Sequence, residues 1–178
     1  MNYATIKDCD IANGPGVRVS LFVSGCTHRC KGCFNEIAWD FAYGTPFTQE
    51  TVDKILAMLA PGYVKGITLL GGEPFEPQNQ PALVDLLTQI KAKYPSKSIW
   101  AFSGYLFENM LAGKVGDREV CLKFLSMVDV LVDGPFVESK KNLMLRFRGS
   151  ENQRIIDVPA SLAQDQVVLW EDWQGERK

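Results

Sequence analysis

The chain has 178 residues, of which 46% are hydrophobic and 22% charged, a composition typical of one globular domain with its own core. A formal net charge of -2 gives no electrostatic indication of the strongly basic domain that is typical of nucleic-acid binding, so we expect no nucleic-acid partner. The amino terminus lacks a basic stretch followed by an apolar run, and no later run is long enough to cross a bilayer. We therefore expect neither secretion nor a membrane partner.

Short apolar runs along the chain predict buried strands. These runs are rich in β-branched and aromatic residues and are bounded by glycine or polar loops, as strands usually are. The predicted strands cover residues 17–23, 66–70, 98–102 and 128–133, with two further candidates near residues 155–158 and 166–170.

Between these runs, apolar residues recur at helical spacing. Thr48 is the expected N-cap of the first helix, and Pro81 suits the first turn of the second. The predicted helices follow Thr48, run through residues 83–90, and cover residues 107–111 and 119–127. We expect one domain of residues 1–158 and an extension of residues 159–178, which holds the candidate strand at 166–170 and a frayed polar tail.

Alternating strands and helices predict an α/β fold with a mainly parallel sheet. Each predicted strand is followed by a small or polar loop, and these loops read SGC, GGEP, SGY and DGPF. In parallel α/β folds the functional site forms at the carboxyl ends of the strands. The sequence therefore predicts that the four loops meet at one edge of the sheet.

The stretch CTHRCKGC contains three of the five cysteines, Cys26, Cys30 and Cys33. The odd count and the crowding argue against a disulfide framework and favour metal or redox chemistry in a reducing cytoplasm. A structural zinc ion normally takes four ligands, and only His28 is available nearby as a fourth. An iron–sulfur cubane has four irons, so three cysteines leave one iron open. The spacing favours a cluster, and the alternatives are a zinc site or three unligated thiols.

The CxxxCxxC spacing, together with GGEP after the second predicted strand, resembles the radical S-adenosylmethionine (SAM) superfamily. The resemblance implies that Cys26, Cys30 and Cys33 bind one [4Fe-4S] cluster whose open iron chelates SAM. Reductive cleavage of SAM would then give a 5'-deoxyadenosyl radical that abstracts hydrogen. The expected fold is a partial, side-open (β/α) barrel of about five to six units.

The same resemblance supplies candidate cofactor contacts. By resemblance, the segment of Gly32, Cys33 and Phe34 lies against the adenine of SAM, and GGEP contacts its methionyl amino group. Ser103 and Asp133 end predicted strands, from which they would reach toward the ribose or the substrate. The full set of candidate contacts is Gly32, Cys33, Phe34, Gly71, Gly72, Glu73, Pro74, Ser103 and Asp133.

Each of these candidates also has a plain structural interpretation. Phe34 could be a core residue, GGEP a tight turn, and Ser103 and Asp133 ordinary turn formers. His28 is interpreted as a spacer in the cysteine loop, with a proton or ligand role as the alternative. The two remaining cysteines, Cys9 and Cys121, are interpreted as structural.

Further stretches resemble more specifically the activating proteins of anaerobic ribonucleoside-triphosphate reductases. They read DIANGPGVR, LFVSGCTHRCKGCFN, LLGGEPFEPQN, IWAFSGY, VDVLVDG and RGSENQR, and they extend through residue 154. This resemblance implies hydrogen abstraction from a glycine of the anaerobic ribonucleotide reductase large subunit, which generates its glycyl radical. It also implies a flavodoxin- or ferredoxin-like electron donor, and it leaves open a homodimer or a heterotetramer with the reductase.

Alternative functions share some of these motifs. A different glycyl radical enzyme activase or a 7-carboxy-7-deazaguanine synthase-like enzyme would also carry the cluster and GGEP. A non-catalytic zinc or electron-transfer module would need only the cysteines. Residues 141–154, KNLMLRFRGSENQR, mix basic and apolar side chains and are interpreted either as a docking segment for a protein partner or as a solvated edge.

Overall fold

The computed structural model describes residues 1–170, which form a seven-stranded sheet in the order β3-β1-β2-β4-β5-β6-β7. The strands are β1 (Asn2–Asp10), β2 (Val17–Val23), β3 (Thr45–Pro46), β4 (Val64–Gly71), β5 (Ser98–Phe102), β6 (Val130–Asp133) and β7 (Arg154–Asp157). The helices are α1 (Gln49–Leu59), α2 (Gln80–Lys93), α3 (Phe107–Leu111), α4 (Arg118–Met127) and α5 (Val158–Gln164), with short 3-10 turns at Glu36–Trp39 and Glu138–Lys140.

Four neighbouring strands, β2, β4, β5 and β6, are parallel and form the centre of the sheet. Helices α1, α2 and the pair α3 and α4 connect them in turn. Strands β1 and β3 on one side and β7 on the other are antiparallel, and the sheet is not closed. The α/β fold is therefore confirmed. The structure has fewer strand–helix units than the five to six that were predicted. The outer strands β1, β3 and β7 are antiparallel and do not repeat the parallel unit.

Side chains alternate between the two faces of the central strands, as the pleat requires. Leu21, Ile67 and Ile99 point into the main core, which also contains the apolar sides of α1, α2 and α4. The opposite face carries a smaller apolar cluster around Trp100 and Val132. The helices thus cover one face, and the loops that approach the other face help to form a cavity.

The opposite face also holds a buried cation, Arg18, which is 1% exposed. Its guanidinium donates to Thr68 Oγ1 at 2.8 Å, to the Ile67 carbonyl at 2.8 Å, and to Ser98 Oγ and the Ser98 carbonyl, both at 2.9 Å. Burial lowers the pKa of Arg18 to about 10, although Asp129 and Asp10 oppose this shift. The group therefore stays charged at neutral pH and joins β2 to β4 and β5.

Most predicted elements are present, and the differences lie before β2, between β2 and α1, and after β6. The strands at residues 17–23 and 98–102 and the helix at 107–111 have the predicted bounds, and Thr48 is the N-cap of α1. Strands β1 and β3 and helix α5 are not predicted by the sequence patterns. The candidate strand at 155–158 is β7, one residue earlier, and α5 starts at Val158.

The segment after α5 pairs with β7 only locally. An isolated bridge joins Leu169 to Ile156, so residues 166–170 do not form the predicted strand. The predicted frayed tail, residues 171–178, lies outside the described residues. The domain division at residue 158 stays a prediction, and Val158 itself is buried in the main core. Within residues 1–170, no helix combines the length and the apolar character needed to cross a membrane.

Candidate functional site

A cavity of about 460 Å³ lies at the carboxyl ends of the parallel strands. This volume is within the range of cavities that bind one small organic molecule. Nine of the predicted site residues line it: Cys26, Cys30, Gly32, Cys33, Phe34, Gly71, Gly72, Glu73 and Ser103. Two predicted residues, Pro74 and Asp133, are buried and are not part of the described lining.

The cysteine loop follows β2 and is fixed by backbone hydrogen bonds. Gly25 N donates to the Ala38 carbonyl at 2.8 Å, and Cys33 N donates to the Cys30 carbonyl at 3.1 Å. All three cysteines of the loop are free and partly buried. Burial raises the pKa of Cys26 to about 11, so its free thiol is protonated at neutral pH, and a bound cation would favour the thiolate.

The three cysteines can be compared with the donor sets of two kinds of metal centre. Within residues 1–170, no three His, Cys, Asp or Glu side chains lie close enough to share a single metal ion. A closed zinc site takes four such ligands. In a cubane, each thiolate binds a different iron, so three cysteines that border one cavity fit the donor set with one iron left over.

Glu73 connects three loops around the cavity, although it is only 1% exposed. Its Oε1 accepts a hydrogen bond from Phe75 N at 2.8 Å, and its Oε2 accepts one from Gly104 N at 2.7 Å. His28 Nε2 lies 3.0 Å from the same Oε2. The carboxylate thus bonds to its own turn, to the loop after β5 and to the cysteine loop.

His28 is held on two sides. Besides Glu73, its ring contacts Tyr105 with ring centroids 4.3 Å apart at an interplanar angle of 63°. Burial lowers the pKa of His28, but the hydrogen bond and charge of Glu73, with the charge of Glu76, outweigh it and raise the pKa above its ordinary value. As a spacer, His28 therefore has a defined contact: it holds the cysteine loop against the loop after β4.

Two residues that the sequence patterns did not single out complete this support. Glu76, 4% exposed, accepts hydrogen bonds through Oε1 from Thr27 N at 2.7 Å and from Thr27 Oγ1 at 2.6 Å. Asn79 is fully buried, and its Nδ2 donates to the Ser24 and Glu73 carbonyls, both at 3.0 Å. Their signal in the sequence is weak, since FEPQNQ reads as the polar start of a helix.

Gly71 and Gly72 allow close contact between the end of β4 and its neighbours. Gly71 has φ of +110°, which favours glycine. A Cβ on Gly72 would lie 2.5 Å from the Gly25 carbonyl oxygen and 2.9 Å from that of Ala38. The tight-turn interpretation of GGEP is therefore correct, and the same glycines also border the cavity.

The other predicted residues differ in their exposure and in whether they border the cavity. Phe34 is 85% exposed and borders the cavity, so it is not a core residue. Ser103 borders the cavity, and its Oγ accepts a hydrogen bond from Tyr105 N at 3.0 Å, as expected of a turn former. Cys121 is buried in the main core, as predicted, and Cys9 is exposed on β1.

Asp133 belongs to a separate network behind the cavity. Its Oδ1 accepts a hydrogen bond from Arg154 Nε at 2.9 Å, Oδ2 bonds to the same guanidinium, and Oδ2 also accepts from Phe107 N at 2.9 Å. Arg154 donates to both Glu108 carboxylate oxygens at 2.8 Å, and these hydrogen bonds lower the pKa of Glu108. Asp133 thus has partners within the protein that couple β6 to β7 and α3.

Comparison with known proteins identifies similar chains. Residues 12–156 match the family described as "4Fe-4S single cluster domain". The anaerobic ribonucleoside-triphosphate reductase-activating protein of Enterobacteria phage T4 is 42% identical over 157 residues, which are 87% of this chain and 93% of the phage protein. Proteins of the same name from Salmonella typhi and Escherichia coli (strain K12) are 42% and 41% identical over 155 residues, 86% of this chain and 96% of each relative.

Proposed function

The chain belongs to the 4Fe-4S single cluster domain family and to the anaerobic ribonucleoside-triphosphate reductase-activating proteins, and on this premise we propose that it is an iron–sulfur activating enzyme of the radical SAM class. Cys26, Cys30 and Cys33 would hold a cluster whose chemistry would be the one-electron reduction of SAM, with cleavage of a carbon–sulfur bond to methionine and a 5'-deoxyadenosyl radical. The 5'-deoxyadenosyl radical would take one hydrogen atom from a glycine of the partner, the large subunit of the anaerobic ribonucleotide reductase, which would leave 5'-deoxyadenosine and a glycyl radical on that subunit.

The observation that carries this proposal is the placement of three cysteines and the glycine pair Gly71 and Gly72 on one cavity. Cys26, Cys30 and Cys33 would hold the cluster, and Phe34 would offer an exposed aromatic face to the adenine. Gly71 and Gly72 would bring backbone groups close to the methionyl end of SAM. In this proposal the open sheet corresponds to the partial, side-open barrel, whose uncovered side admits a macromolecular substrate.

The residues around the cavity would position the cofactor and do not react themselves. Glu73 has partners within the protein for both of its oxygens, so we assign it to holding the loops and not to a direct contact with the amino group of SAM. Ser103 stays a candidate contact at the cavity wall, and Asp133 would act through Arg154. Pro74 would restrict the backbone that follows Glu73.

The proposed setting is the cytoplasm, where thiols stay reduced, and all five cysteines of the chain are free. A flavodoxin- or ferredoxin-like protein would supply the electron. The assembly would be a homodimer or a heterotetramer with the reductase.

Metal analysis tests the proposal first. Protein purified and reconstituted without oxygen should contain iron and sulfide in equal amounts, about four of each per chain. With a strong reductant it should cleave SAM to 5'-deoxyadenosine. Cys30→Ala should abolish both the cluster and this cleavage, whereas Cys121→Ala should keep them. One zinc without sulfide would instead favour the non-catalytic module.

Electron paramagnetic resonance tests the proposed partner and distinguishes the proposed activase from other radical enzymes. The reduced protein, SAM and the anaerobic ribonucleotide reductase large subunit are mixed, and a glycyl radical signal is expected on the reductase. SAM cleavage without any radical on the reductase would point to a different glycyl radical enzyme or to a small-molecule substrate.

A further inference from the structure

The carboxylate of Glu76 lies behind the cysteine loop, and the proposed cofactor chemistry does not use it. Glu76 is 4% exposed, and its Oε1 accepts hydrogen bonds from Thr27 N at 2.7 Å and from Thr27 Oγ1 at 2.6 Å. Thr27 directly follows Cys26, one of the proposed cluster ligands. A buried acidic side chain is therefore bonded to the residue next to a ligand.

Glu76 lacks an ion-pair partner, unlike the neighbouring Glu73. His28 Nε2 lies 3.0 Å from Glu73 Oε2. Within residues 1–170, no lysine, arginine or histidine side chain forms an ion pair with Glu76. The two basic residues of the cysteine loop, Arg29 and Lys31, are exposed to water, which screens their charges. The negative charge of Glu76 is therefore not neutralised by any described ion pair.

Groups on two loops respond to this charge. Burial, with further contributions from the charges of Glu73 and Glu76, raises the pKa of Cys26 to about 11. Burial also raises the pKa of Tyr105, and the charges of Glu76 and Glu73 add to that effect. The sulfur of Cys26 thus lies within the electrostatic reach of Glu76.

A negative charge at this position opposes the addition of an electron to a nearby cluster. Reduction adds one negative charge to the cluster and its thiolates, and like charges repel most strongly where burial keeps water out. The reduction potentials of iron–sulfur clusters depend on charge, hydrogen bonds to the sulfurs and solvent exposure. A cluster held by Cys26 would therefore have a more negative potential beside Glu76. A centre with a more negative potential is a stronger reductant once it is reduced.

We propose that Glu76 lowers the reduction potential of the cluster bound by Cys26, Cys30 and Cys33, and so makes this cluster a stronger one-electron donor to SAM. This inference rests on the proposed function and adds how the chain sets the driving force for SAM cleavage. Glu76 acts through its charge alone. It contacts neither the cluster nor SAM, and it gains or loses no electron or proton in the step.

Glu76→Gln separates the charge from the hydrogen bonds. The new amide oxygen can still accept from Thr27 N and Thr27 Oγ1, whereas the negative charge is removed. The matched control is Glu36→Gln, which removes the same charge at an exposed position in the 3-10 turn after the cysteine loop. Thr27→Val is the second control, because it removes the hydroxyl donor and keeps the charge of Glu76.

The measurement is a redox titration of each reconstituted protein without SAM. It is followed by the electron paramagnetic resonance signal of the reduced cluster and is scaled to the iron and sulfide content. At the midpoint potential of the unsubstituted protein, Glu76→Gln should raise the ratio of reduced to oxidised cluster about tenfold, a shift of about 59 mV to less negative potential for one electron. Each control should change this ratio by less than about twofold.

The outcomes separate this inference from the proposed function. If the unsubstituted protein binds no cluster, or binds one but cleaves no SAM with dithionite, the proposed function is wrong and the inference falls with it. If it cleaves SAM and Glu76→Gln has an unchanged potential, only the inference about Glu76 is overturned.

The controls give two further ways to overturn the inference. A shift in Thr27→Val or Glu36→Gln as large as that in Glu76→Gln would mean that the shape of the loop or exposed charges set the potential. Failure of Glu76→Gln to take up a cluster would mean that the residue acts only by holding the loop.

Discussion

His28 Nε2 lies 3.0 Å from Glu73 Oε2, and this contact joins two loops that are 45 residues apart in the sequence. Since Glu73 also accepts hydrogen bonds from Phe75 N and Gly104 N, one buried carboxylate connects the loops after β2, β4 and β5. The shape of the cysteine loop therefore depends on a residue that needs no direct contact with any cofactor.

Glu73→Gln should destabilise the fold. The NH2 group of the new amide would face at least one N–H group whose hydrogen bond the carboxylate now accepts. Leaving such a buried group unsatisfied costs about 1–3 kcal/mol in the free energy of unfolding. Urea titration of the metal-free protein measures this. Glu119→Gln, at an exposed position of α4, is the control. Equal stability of the two variants would show that Glu73 does not hold the loops.

Gly72→Ala should impair cluster assembly. Its Cβ would lie 2.5 Å from the carbonyl oxygen of Gly25, the residue before Cys26, so the cysteine loop would have to shift. We expect less iron and sulfide per chain after reconstitution. Gly62→Ala is the control, since a Cβ there meets no heavy atom within 4 Å. The same iron and sulfide content in both variants would contradict the close packing described here.

Arg18→Lys should lower the free energy of unfolding by about 2–4 kcal/mol. A lysine ammonium has three donors on one atom and cannot reach all the acceptors that the guanidinium fork reaches on β4 and β5. Denaturant unfolding measures the loss, and Arg118→Lys at the exposed start of α4 should change stability little. A loss no greater than that of Arg118→Lys would mean that water replaces the missing donors.

Glu108→Gln should change the pH dependence of stability. Folding lowers the pKa of Glu108, so its contribution is present above the ordinary value of 4.5 and is lost as pH falls through the lowered pKa. Because Glu108 is 55% exposed, the difference from the unsubstituted protein should be at most about 1 kcal/mol near neutral pH. Urea titrations at several pH values should show the difference shrink as the pH falls below 4.5 and through the lowered pKa. A difference that persists in acid would exclude the ion pair as its source.

The central strands could be predicted because their own residues specify them. Strands β2 and β5 are short runs of mostly apolar residues between small loops, and their predicted bounds are correct. Strand β1 is different, since most of its residues are exposed or half-buried, and its pairing with β2 gives it a strand conformation that its sequence signals only weakly. At α5, the β-branched run into Val158 suggested a strand, while the true signals were the N-cap Asp157 and the following Pro159.

The site was predictable in its composition but not in its internal contacts. CxxxCxxC and GGEP are local patterns, and the parallel topology brings them to one edge, as expected. The contacts of Glu73 with His28 and of Asp133 with Arg154 depend on side-chain directions in the folded chain. No spacing rule reports these directions, so the sequence did not show that both carboxylates are hydrogen-bonded within the protein.

The two hydrogen bonds from Thr27 to Glu76 have a consequence for biosynthesis. The three cysteines leave the ribosome early, but the residue that fixes their loop follows 49 positions after Thr27. Such distant pairings form late, because the intervening chain must first be ordered. Delivery of iron and sulfide to a nascent chain would therefore meet cysteines without their final geometry, and productive insertion would follow the folding of β4 and its turn.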